Sequence, residues 1–116
     1  MNERELQGIA RFKFHDGKLD DFKRLSAQCM EIVRTKDTGT LQYEICFNDD
    51  QSECIVLERY RDSEALLEHA DNLGGLMEAI LATGSVSGEL LGEPSAGLKA
   101  NLAEGPVRLF TPFLSM

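Results

Sequence analysis

The sequence predicts an α+β fold of the ferredoxin-like type, a β-α-β-β-α-β sandwich carrying a C-terminal extension. Three observations carry that prediction. A run of period two precedes a long amphipathic helix, two alternating runs flank a polar turn, and a second helical stripe leads into a further strand. The 116 residues suit one domain, long enough to bury roughly two thirds of the surface that the unfolded chain exposes.

From Leu6 to Phe14 the even positions read Leu6, Gly8, Ala10, Phe12 and Phe14, and the odd ones are mostly polar, which is the signature of a strand with one buried face. Asp16 is placed to cap a helix over residues 17–36, in which Leu19, Phe22, Leu25, Cys29, Ile32 and Val33 form one apolar stripe. Arg34 and Lys36 suit its carboxyl end, and Gly39 is expected to supply a left-handed stop. Leu41, Tyr43, Ile45 and Phe47 then alternate with polar residues, and the turn Asn48 to Ser52 leads into a β-rich run from Glu53 to Tyr60. A hairpin centred on Asp50 pairs Ile45 with Ile55, Tyr43 with Leu57 and Cys46 with Cys54. That register puts Glu58 and Tyr60 on one face and Tyr43 on the other.

Asp62, Ser63 and Glu64 open a second helix whose inner side carries Ala65, Leu66, His69, Ala70 and Leu73. Gly74-Gly75 breaks it, Leu76 to Leu81 continue a helical stripe, and Ser85 to Leu91 read as a strand interrupted by Gly88. Residues 1–92 are therefore the ferredoxin-like unit, and residues 93–116 an extension packing on the same domain or on a dimer partner. In the extension, Leu98 to Leu102 suit a helical turn, and Val107 to Phe113, bounded by Pro106 and Pro112, suit an edge strand or an arm. One antiparallel sheet with helices on one face leaves the other face open, and a homodimer is the simplest way to cover it.

Composition narrows the function. Apolar residues make up 42% and charged ones 28%, a globular balance, and a net charge of -8 opposes a phosphate backbone, so nucleic acid is not an expected partner. With no basic leader and no long apolar run, no membrane partner is expected and the location is read as cytoplasmic. Three cysteines without a CxxC pair, and two histidines, support neither a disulfide framework nor a metal site.

Three stretches together carry a resemblance: His15-Asp16-Gly17, the run Gly39 to Ile45, and Glu58 to Ala65 followed by His69. Over Leu6 to Leu91 the chain resembles the antibiotic biosynthesis monooxygenase (ABM) family of small dimeric α+β barrels, with Tyr43, Glu44, Glu58, Tyr60 and His69 at positions that the family tends to fill alike. The resemblance implies a dimeric α+β barrel and oxygenation of a small aromatic, quinol or polyketide-like substrate without a metal or flavin, hence no cofactor. The haem-degrading branch pairs a pocket His with a Trp and an Asn, and this chain has no Trp. A non-catalytic dimeric small-molecule-binding or stress-response protein is the alternative, because fold alone does not decide chemistry.

Such an oxygenation must deprotonate a phenol or quinol and later protonate a peroxide, tasks that suit His69 near neutrality. Glu58 is placed to orient that imidazole, and Tyr60 or Tyr43 to donate to a substrate oxygen. The alternatives are a buried structural histidine, a Glu58 salt bridge to Arg11, Arg59 or Arg61, and tyrosines that serve packing. Phe12, Phe22 and Leu66 are candidate pocket walls or plain core, and Asn72 a residue of the pocket mouth or a helix terminator.

Overall fold

The computed structural model describes residues 4–103 and 105–116. Five strands, β1 (Leu6–Phe14), β2 (Thr40–Phe47), β3 (Glu53–Tyr60), β4 (Gly84–Leu91) and β5 (Val107–Phe110), form one sheet in the order β2-β3-β1-β4-β5. Among the described residues the helices are α1 (Leu19–Lys36), α2 (Ser63–Leu73), α3 (Gly75–Leu81) and α4 (Ala96–Leu102). The first four strands pair antiparallel, as the ferredoxin-like unit requires. β5 extends the same sheet beside β4 in parallel, so Val107–Phe110 of the apolar tail form an edge strand, and Phe113 beyond it is exposed.

Two apolar clusters hold helices to the sheet. In one, Phe12, Cys54 and Val56 of the sheet meet Phe22, Leu25 and Cys29 of α1, Leu73 of α2 and Ile80 of α3. Phe12, Phe14, Phe22 and Phe47 contact one another there with ring centroids 4.7 to 6.4 Å apart, so Phe12 and Phe22 are packed among aromatic rings. In the other, Leu6, Leu90 and Leu98 bring α4 onto β1 and β4, with Leu66 and Leu67 of α2 against them.

Several local expectations are corrected. Asp16 does not cap α1, whose first turn follows Lys18 without a side-chain cap, whereas Asp62 caps α2 by accepting from the Ala65 N–H. Gly39 is not left-handed, because α1 already ends at Asp37 in extended backbone. Its lack of a side chain serves contact instead: a Cβ there would lie 2.5 Å from the Ala65 Cβ on α2. Gly39→Ala is therefore expected to push β2 off α2 at a cost of about 1–3 kcal/mol, readable as a lower urea midpoint with an unchanged slope.

The hairpin register also differs by one residue. Gln51 takes a left-handed conformation (φ 59°), Asp50 accepts from the Ser52 N–H, and Asn48 accepts from the Glu53 N–H, closing a four-residue loop. The loop pairs Tyr43 with Glu58, Ile45 with Val56 and Phe47 with Cys54. Since strand side chains alternate, the slip moves Tyr43 to the inner face beside Glu58 and Tyr60, and separates exposed Cys46 from buried Cys54. An irregularity between Thr40 and Gln42 leaves Leu41 without a cross-strand partner, so Thr40 and Tyr43 both face inward although they are three residues apart.

Candidate active site

The inner face of β2 and β3 and the inner side of α2 converge on one polar row set between the two apolar clusters. His69 is 2% exposed. Its Nδ1 lies 2.8 Å from Oδ2 of Asp37, whose side chain is 1% exposed. Asp37 is the residue that ends α1, and Thr40 Oγ1 (2.6 Å) and Asn72 Nδ2 (2.8 Å) also donate to it. Burial pushes the Asp37 carboxyl up, but the hydrogen bonds from Asn72, Thr40 and His69, with the His69 charge, outweigh it and leave the group below its ordinary value. An ionised carboxylate only accepts, so Nδ1 carries the hydrogen and Nε2 is the working nitrogen.

Nε2 faces Glu58 Oε1 at 3.6 Å, and the same oxygen accepts a hydrogen bond from the Tyr60 hydroxyl. Burial raises the Glu58 pKa against the lowering effects of Tyr60 and His69. A carboxylate so shifted is a stronger base than one in water. Burial, and next the Glu58 charge, push both tyrosine hydroxyls up, so they act as donors and not as anions. The Tyr43 and Tyr60 rings flank the imidazole at centroid distances of 5.4 and 5.3 Å. Among the described residues the Tyr43 hydroxyl has no hydrogen-bond partner, which leaves it available to a ligand.

Sequence reasoning named His69, Glu58, Tyr60, Tyr43 and Asn72, and the structure brings all five together, Asn72 through Asp37. It missed Asp37. The signal was the Asp37-Thr38-Gly39-Thr40 run, in which an acid directly after a helix is followed three residues later by a hydroxyl that can bind it. Leu66 sits in the α4 cluster, Phe12 and Phe22 in the aromatic one. None of the arginines weighed for Glu58 takes it: Arg11 pairs with Glu89, Arg59 with Glu5 and Arg61 with Asp62. A depression of about 430 Å³ lies elsewhere, lined by Arg4, Asp62, Ser63, Glu64, Glu93 and Ser95, and holds none of the candidate residues. No group of three or more metal-ligating side chains occurs among the described residues.

The sequence profile of the antibiotic biosynthesis monooxygenase family matches residues 8–73, more than half of the chain and every member of the polar row. The chain belongs to the antibiotic biosynthesis monooxygenase family. Solved structures agree on the fold of this ABM protein. MupZ from Pseudomonas fluorescens superposes with a TM-score of 0.84 at 24% identity, covering 97% of this chain and 93% of its own. At that coverage the likeness includes most of the extension beyond β4. SnoaB, a cofactor-independent oxygenase from Streptomyces nogalater, gives 0.66 at 15% identity over 80% of this chain and 96% of its own. Rv0793 from Mycobacterium tuberculosis gives 0.67 at 22% over 78% and 96%. No curated protein sequence matches significantly. No helix among the described residues is long and apolar enough to cross a membrane.

Proposed function

We propose that this ABM protein is a cofactor-independent monooxygenase acting on a small aromatic, quinol or polyketide-like substrate. The observation that carries the reading is the buried row Glu58–His69–Asp37, in which a carboxyl of raised pKa, an imidazole of defined tautomer and an ionised carboxylate stand within contact distance. Such a row takes a proton from a weakly acidic phenol or activated C–H, and the low-dielectric site strengthens the base that does so. The resulting anion adds dioxygen to form a hydroperoxide. The row then takes the remaining C–H proton of the carbon that bears the hydroperoxide. That electron pair forms the carbonyl as the O–O bond breaks, and the departing hydroxide is protonated from the row and leaves as water. A CH2 thereby becomes C=O, and dioxygen takes up the four electrons. The Tyr43 hydroxyl is the free donor for a substrate oxygen in this scheme.

Two carboxyl groups in the row, in a chain of net charge -8, disfavour an anionic substrate and favour one that enters neutral. The outer sheet face carries Ile9, Ile55 and Leu57 among charged residues, with Ile55 39% exposed, which supports a homodimer closed over that face.

Oxygen uptake by the purified, metal-free protein with a panel of quinols and anthrone-like phenols tests the reading. Uptake is expected to fall about 100-fold or more in His69→Ala matched for folding. Saturable binding of a panel member without oxygen consumption would replace the oxygenase by a non-catalytic binding protein, a reading that the deep burial of His69 favours.

A further inference from the structure

The row is not uniformly buried. His69 is 2% exposed, Tyr60 1% and the Asp37 side chain 1%, whereas the Glu58 side chain is 19% exposed. A molecule arriving from solvent therefore meets Glu58 before it meets the imidazole. The two Glu58 oxygens are also inequivalent. Oε1 accepts from Tyr60 and faces His69, while Oε2 accepts no hydrogen bond from any described residue. Oε2 lies over Gly8, the residue directly opposite Glu58 on β1, with Leu90 of β4 on the other side of Gly8. A Cβ at residue 8 would sit 3.6 Å from the Glu58 Cβ, 3.8 Å from Oε2 and 4.0 Å from the Leu90 Cδ1. The missing side chain of Gly8 thus leaves room beside the one carboxylate oxygen of the row that accepts no hydrogen bond from any described residue. Gly8 has no need of glycine for its backbone, which is ordinary strand.

We infer that Glu58 Oε2, uncovered by the absence of a side chain at Gly8, is the atom that meets the substrate, with His69 and Asp37 behind it as positioning residues. The inference rests on the proton-transfer reading of the site and assigns its parts. The substrate O–H or C–H bond breaks as the Oε2–H bond forms, and the negative charge passes from the carboxylate to the substrate. Rotation of the carboxyl then presents the proton to His69 Nε2, and the imidazolium formed is paired to the Asp37 carboxylate, which restores Glu58 as an anion. The groups facing Glu58 throughout are Tyr60 on its own strand, Tyr43 on β2 and His69 on α2.

Titration of the unmodified protein with phenol, a neutral probe, decides the placement. In protein labelled with 13Cδ-glutamate, the Glu58 signal is assigned by its loss in Glu58→Gln. In protein labelled with 15N-histidine, only His15 and His69 report. Phenol is expected to shift the Glu58 carboxyl strongly and its pH midpoint with it, and to move His69 less. Gly8→Ala, whose methyl meets ordinary contact distances, is expected to keep the fold and the His69 spectrum while weakening phenol binding about tenfold. A phenol response at His69 with none at Glu58, no response at either, or unchanged phenol affinity in Gly8→Ala would overturn the inference. A strong response at Glu58 in a protein that consumes no oxygen with any quinol would leave the inference standing and remove the oxygenase reading.

Discussion

Asp37→Ala is expected to cost about 3–5 kcal/mol at pH 7, the largest stability loss of any single substitution in the polar row. The carboxylate is 1% exposed, and its removal leaves the His69 Nδ1–H, the Asn72 amide and the Thr40 hydroxyl without their acceptor inside the protein. The effect is expected to depend on pH with a definite sign. The folded-state pKa of Asp37 lies below its ordinary value of 3.8, so the stability it contributes is fully present above that value and is lost as pH falls through the lowered one. Urea unfolding of native and Asp37→Ala protein should show a wide gap at pH 7 that narrows below about pH 4. A gap under 1 kcal/mol, or one that does not narrow in acid, would mean that the carboxylate does not hold the row together.

Glu58→Gln is expected to do the opposite to stability and to abolish most activity. Burial raises the Glu58 pKa above its ordinary 4.5, so the folded state binds this proton more tightly than the unfolded one. Stability is therefore lost as pH rises from about 4.5 through the raised value, and the neutral amide escapes that loss while its oxygen still accepts from Tyr60. The variant should unfold at the same or a higher urea concentration than the native protein at pH 8. Turnover should fall about 100- to 10,000-fold, since an amide takes no proton. A variant less stable than the native protein at pH 8 would contradict burial as the dominant influence on Glu58. A stable variant that still turned over would remove Glu58 from the chemistry. A group that costs stability where it serves reactivity is the pattern expected of a functional site.

The elements of the fold were legible because each is written in local periodicity. The period-two run of β1, the apolar stripe of α1 and the capped start of α2 at Asp62 are properties of a few consecutive residues, and tertiary context agreed with them. His69 was legible as a site residue for a similar reason: a titratable side chain lies on the same helical side as Ala65 and Leu73 and is buried with them. Turn geometry was less legible. The stretch Asn48 to Ser52 suits a loop of either parity, and only the left-handed Gln51 and the Asn48–Glu53 contacts select four residues over three. One residue of register decides which face Tyr43 occupies.

By itself, then, the sequence determined the α+β class, the order of strands and helices, the family, that His69 lies on the inner side of α2, and that Glu58 and Tyr60 share one face of β3, while only the structure showed that face to be the inner one. The reason is that burial of an apolar face imposes a period that can be read directly from the chain. Only the tertiary structure decided that Tyr43 joins them and that Asp37, thirty-two residues from His69, holds the imidazole. It alone also placed one Glu58 oxygen over Gly8 without a hydrogen bond from any described residue. These depend on a loop conformation, on Leu41 lacking a cross-strand partner and on a helix ending beside another helix. Each is a contact between residues distant in sequence, and such contacts leave no periodic trace in it.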